Sequence, residues 1–81
     1  MGLKRELRAD LLMFLKDVRN EHPSKTIKGE ELMDKFSIDE TTLQVNLKFL
    51  VDLGYIRLLS KYQNRKALIR ITDKGYKKFE G

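Results

Sequence analysis

Residues 27–56 read IKGEELMDKFSIDETTLQVNLKFLVDLGYI, and their pattern decides the fold. From Gly29 to Phe36 the apolar residues Leu32, Met33 and Phe36 recur at helical spacing. Glu30 and Glu31 fall in the first turn, where negative charge suits the helix dipole. Ser37, Ile38 and Asp39 form a tight connector. Asp39 is a natural N-cap for the next helix, because its carboxylate accepts from the free N–H groups of the first turn. Leu43, Leu47 and Leu50 mark the buried stripe of that helix, and Gly54 suits the left-handed residue where it stops. The stretch is therefore two helices joined by a short turn.

Toward the N-terminus, Leu3, Leu7, Leu11, Phe14, Leu15 and Val18 repeat at helical spacing, and Pro23 stops that helix. Residues 25–27 (KTI) suit a short strand. Toward the C-terminus, 55–62 (YIRLLSKY) reads as a strand, 63–66 (QNRK) as a turn and 67–72 (ALIRIT) as the returning strand. Thr72 and Asp73 cap a last short helix, 73–80, which packs Tyr76 and Phe79. The expected class is mainly α with a small β-hairpin (α+β), in the order α-β-α-α-β-β-α, as a single domain over 1–81.

The 81 residues suffice for one core and not two. With no cysteine, disulfides and thiolate metal sites are excluded. The longest apolar run, Leu11 to Leu15, falls far short of the ~20 residues that span a bilayer. The first residues lead into a charged amphipathic pattern rather than a signal peptide. The expectation is a cytoplasmic protein.

Charge is distributed unevenly. Residues 1–56 hold nine Lys/Arg against ten Asp/Glu, a balance of −1, whereas 57–81 hold eight against two, a balance of +6. All the excess positive charge lies in the hairpin and the tail, which points to a polyanionic partner.

Three stretches carry a resemblance to the winged helix-turn-helix family of DNA-binding proteins. Residues 27–56 match its positioning helix, turn and recognition helix, ending in Leu-x-x-Gly-aromatic-Ile. Residues 57–72 match the two wing strands, and 71–80 (ITDKGYKKFE) is similar to the entry into the final helix of MarR, PadR and ArsR-type regulators. The resemblance implies a small transcriptional regulator, nucleoid-associated, with double-stranded DNA as partner. It covers about two thirds of the chain and leaves a protein-docking module or a nonspecific nucleic-acid binder as alternatives, since function does not follow from fold.

The residues fit that implication. On a helical wheel, Leu47 and Leu50 lie within about 40° of Leu43, and Thr41, Val45, Lys48 and Asp52 occupy the opposite side with Gln44 on its flank. Gln44 can pair with adenine, Val45 with a thymine methyl, Thr41 with a base or phosphate, and Lys48 with a phosphate or guanine. The same residues also suit a plain solvated helix face. Asp39 and Glu40 oppose the DNA reading, because a carboxylate facing a phosphate costs affinity. In the wing, Arg65 and Lys66 are expected to project beyond the strands toward a minor groove and its phosphates, with Lys61 and Tyr62 beside them. Edge lysines also discourage strand pairing, which accounts well for Lys61 and less well for Lys74, Lys77 and Lys78 in the tail.

Five consecutive apolar residues surround a helix, so Leu12 or Met13 is expected to leave the domain's own core, either partly buried under the last helix or, as the sharper reading, forming a homodimer interface through the first helix. Phe49 and Leu53 are expected under the hairpin or, as the alternative, in an interface. His22, the only histidine, precedes a proline in a loop, and the acidic pairs Glu30/Glu31 and Asp39/Glu40 diverge by about 100° on a helix, so no catalytic dyad is expected. No enzyme activity, metal, cofactor or small-molecule ligand is inferred.

Overall fold

The computed structural model describes residues 3–61 and 63–78, with side chains from residue 7 onward. Its elements are α1 (Leu3–Glu21), β1 (Ile27–Lys28), α2 (Gly29–Phe36), α3 (Glu40–Asp52), β2 (Ile56–Leu58), β3 (Leu68–Ile71) and α4 (Asp73–Lys77). The strands form one antiparallel sheet of order β1-β3-β2, so the domain is a small α+β unit of helices and a three-stranded sheet. Element order follows the sequence pattern. The hairpin strands are shorter than the pattern suggests, and residues 59–67 connect them.

Alternation along the strands divides the sheet into two faces. Ile27 and Leu58 both pair with Ile69, and Ile56 pairs with Ile71, on the face toward the helices. Lys28 opposite Leu68, and Arg57 opposite Arg70, occupy the other face. The core against the inner face collects Leu11, Leu12 and Leu15 of α1, Leu32 of α2, Leu43, Leu47 and Leu50 of α3, and Ala67. Phe14 meets Phe36 edge to face, with ring centroids 6.0 Å apart.

Leu12 corrects one expectation. It is buried in the core, so it offers nothing to a dimer interface. The domain absorbs the apolar surplus of α1 because Phe14 turns aside onto Phe36, and only Met13 opens to solvent. Asp10 and Asp17, on the same side of the helix, are exposed with it. Phe49 and Leu53 are also partly open rather than covered by the hairpin, and the Arg8 guanidinium of α1 lies 3.8 Å over the Phe49 ring.

The turns rest on local chemistry. Asp39 caps α3, its carboxylate accepting from the Thr42 N–H at 2.8 Å. Gly54 follows α3 in the left-handed conformation with φ 80°. The Thr72 hydroxyl donates to the Gly54 carbonyl at 2.6 Å and accepts from the Gly75 N–H at 3.1 Å, tying the end of α3 to the start of α4. Gly75 is buried there, and a Cβ would land on the Tyr55 carbonyl. Arg19 of α1 holds Asp73 at 2.7 Å, and the Tyr76 hydroxyl bonds Asn20, so α4 is fastened to the end of α1. Phe79 lies outside the described residues.

Two features of the helix pair oppose stability. Asn46 is buried in α3; its amide donates to the Thr42 carbonyl at 2.7 Å, but its Oδ1 has no partner among the described residues. Ser37, in the turn after α2, takes φ 52°, a left-handed conformation that costs a non-glycine residue ~1–2 kcal/mol. The replacement Ser37→Gly removes that cost and adds chain entropy to the unfolded state. The net result is a gain of about 0.5–1 kcal/mol, read as a higher urea midpoint at unchanged slope.

Candidate nucleic-acid interface

The outer face of α3 is assembled as the wheel predicts. Leu43, Asn46, Leu47 and Leu50 turn inward, which leaves Thr41, Gln44, Val45 and Lys48 exposed along one side. Val45 is 60% exposed in the middle of that side. Lys48 pairs with Asp52 one turn later at 3.4 Å, with both side chains well hydrated. Such an i,i+4 pair is worth ~0.3–0.5 kcal/mol and gives way readily to a phosphate.

The connection 59–67 departs from expectation. It does not project as a short turn. Instead its residues 64–67 fold back onto the starts of α2 and α3. Asn64 builds the bend: its side-chain oxygen accepts from the Lys66 N–H at 2.9 Å, and its carbonyl accepts from the Ala67 N–H at 2.9 Å. The Leu59 N–H bonds the Leu68 carbonyl at 2.8 Å, and the Ser60 hydroxyl accepts from the Leu68 N–H at 3.3 Å, closing the other side. Two backbone bonds then dock the bend. The Gly29 N–H donates to the Ala67 carbonyl at 2.9 Å and the Glu30 N–H donates to the Arg65 carbonyl at 3.0 Å. These are first-turn N–H groups of α2 that have no partner within their own helix. Gly29 permits the approach, because a Cβ there would strike the Asn64 carbonyl.

Arg65 completes the docking. Glu40, at the start of α3, accepts from the Arg65 backbone N–H at 3.2 Å and meets its Nε at 3.5 Å. The carboxylate that opposed a nucleic-acid reading therefore serves to hold this loop. The same pairing offsets part of the Arg65 charge, although both side chains keep substantial contact with water. Lys61 and Lys66 are exposed, and Tyr62 lies outside the described residues. Lys28, Glu30, Arg65 and Lys66 line an open notch of about 350 Å³ at this junction. Lys28 was not among the residues expected here. Its place depends on the register that sets it opposite Leu68, which no local pattern in the sequence encodes.

The positive excess of residues 57–81 does not form one patch. Lys61, Arg65 and Lys66 lie at the Leu68 end of β3, whereas Lys74 and Lys77 of α4, and Lys78 just after it, lie at the Ile71 end. Lys74 reaches back over the Tyr55 ring at 5.6 Å. Arg57 and Arg70 stand between the two groups on the outer sheet face. Among the described residues no group of three or more His, Asp or Glu is placed to hold a metal ion, and no helix is long and apolar enough to cross a membrane. Comparison with known proteins gives no match to any family model, curated protein or solved structure.

Two carboxylates titrate below their ordinary value. For Asp39 the leading cause is the hydrogen bond from the Thr42 backbone. For Asp73 it is the hydrogen bond from Arg19, followed by the charge of that guanidinium. Because the folded pKa is depressed, the stability each group contributes is complete above the unfolded value near ~4 and is lost as pH falls through the folded value. Asp39→Asn keeps an acceptor for the cap but cannot be protonated. Its stability therefore declines less than the parent's when urea unfolding is followed from about pH 5 to about pH 2.

Proposed function

We propose that this chain is a winged helix-turn-helix domain that binds double-stranded DNA as a transcriptional regulator. The observation that carries the reading is the open side of α3, with Thr41, Gln44, Val45 and Lys48 uncovered along it and a cation-bearing loop fastened to its first turn. In helix-turn-helix readers the second helix enters the major groove with its first turns against the base edges. Gln44 and Val45 then reach bases, while Thr41 and Lys48 reach bases or backbone. Loop 59–67 acts as the wing. Docked as it is, it sets Arg65 against the first turn of α3 and Lys66 in the same notch as Lys28 of β1, where the three cations would meet flanking phosphates. The element order and the sheet order β1-β3-β2 are compatible with this architecture.

The existing ion pairs favour a second reading, a winged-helix domain that docks another protein. Arg65 and Lys48 already have carboxylate partners, and Val45 with Phe49 offers apolar surface. Exposed pairs of this kind are worth about 0–1 kcal/mol, less than a charge-assisted phosphate contact supplies, so they do not displace the DNA reading.

Selection from a random duplex library at physiological salt tests the proposal, with an enriched motif expected. Affinity falls steeply with salt, each phosphate contact adding roughly 0.9 to the log–log slope. Arg65→Ala with Lys66→Ala weakens binding to all duplexes and lowers that slope by about 1–2. Gln44→Ala changes the preferred sequence instead. Glu40→Gln keeps a side-chain oxygen for the Arg65 N–H, so the loop stays docked, but removes a carboxylate from the phosphate path and releases the Arg65 charge, so duplex binding tightens. A protein-docking domain would show no duplex binding and none of these effects.

A further inference from the structure

A second concavity lies at the other end of β3 from the Lys28–Lys66 notch, where β1 begins only at Ile27 and leaves the flank of Arg70 and Ile71 uncovered beside α1. It is an open groove of about 430 Å³, within the ~300–1,000 Å³ range of small-molecule sites. Leu15, Ile27 and Ile69 close its floor, and Val18, Leu59 and Ile71 supply apolar walls with exposed surface. The rim carries Arg19, Lys25, Arg57 and Arg70, against a single carboxylate, Asp73.

The charges on that rim are arranged against stability. Arg57 and Arg70 are direct cross-strand partners on the outer face, and like charges in that position repel. Asp73 is engaged by Arg19 at 2.7 Å and leaves the arginine pair uncompensated. The Arg70 guanidinium is oriented by the Pro23 carbonyl at 2.8 Å, a neutral acceptor that fixes its direction without offsetting its charge. Neither Arg57 nor Lys25 has a carboxylate within ion-pair distance among the described residues.

From this arrangement we propose that the groove binds a small organic carboxylate with an apolar body. The guanidinium forks of the paired Arg57 and Arg70 suit a planar carboxylate, with the hydrocarbon part lying against Val18, Leu59 and Ile71. A bare phosphodiester gains nothing from those apolar walls. The site is separate from the face of α3 and stands or falls independently of DNA binding.

Calorimetric titration of the full chain with 4-phenylbutyrate tests the proposal, with 4-phenyl-1-butanol and inorganic phosphate as controls. Saturable one-to-one binding of the carboxylate is expected, at least about tenfold tighter than either control. Amide resonances of Ile27, Arg70 and Ile71 shift on titration. Arg57→Gln weakens binding at least about tenfold and raises the melting temperature of the free protein, because it removes the like-charge pair. A purely structural Arg57 would not give that opposite pair of effects. Equal binding of phosphate, or no saturable binding of phenylbutyrate, overturns the proposal. If Arg57→Gln instead weakens duplex binding and leaves phenylbutyrate unaffected, the arginine pair belongs to a nucleic-acid surface and the carboxylate site is refuted.

Discussion

The docking of residues 64–67 onto the first turn of α2 is the constraint on which the rest of the molecule depends. Two backbone hydrogen bonds, from Gly29 to Ala67 and from Glu30 to Arg65, extend the β1–β3 pairing past the end of the strands. They satisfy helix N–H groups that would otherwise need water. Ala67 is buried in the same place, so the bend is anchored by packing as well as by bonds. Glu40 then links it to α3. Loop, α2 and α3 become one surface because a single bend bonds both helices.

That constraint explains why charge along the chain and charge in space differ. The tail looks uniformly basic as a sequence. Once β2 and β3 reverse the chain and α4 folds onto α1, its cations divide into a group beside α3, a pair across the sheet and a group on α4. Only the first group can act together with α3. The pair across the sheet faces a different concavity, which exists because β1 is two residues long and leaves the flank of β3 uncovered.

Sequence reasoning reaches as far as local chemistry does. The Asp39 cap, the Gly54 left-handed residue, the stripe of Leu43, Leu47 and Leu50, and the open positions Thr41, Gln44, Val45 and Lys48 are all set within a few residues, and all were legible. The hairpin connection was not. Its shape is fixed by bonds from Gly29 and Glu30, more than thirty residues earlier, and by the Asn64 bend. Lys28 and the Arg57–Arg70 pair were hidden for the same reason, because a strand register places them. Leu12 was misplaced because a helix wheel does not show that Phe14 has a partner in Phe36.

The central claim is that the loop beside α3 belongs to the folded body and presents its cations from a fixed position. Backbone ¹⁵N relaxation of residues 64–67 in the free protein measures this directly. The docked loop predicts order parameters near the rigid-backbone value of ~0.85, matching those of α3. Values below ~0.6 across these residues, with α2 and α3 still rigid, would contradict it.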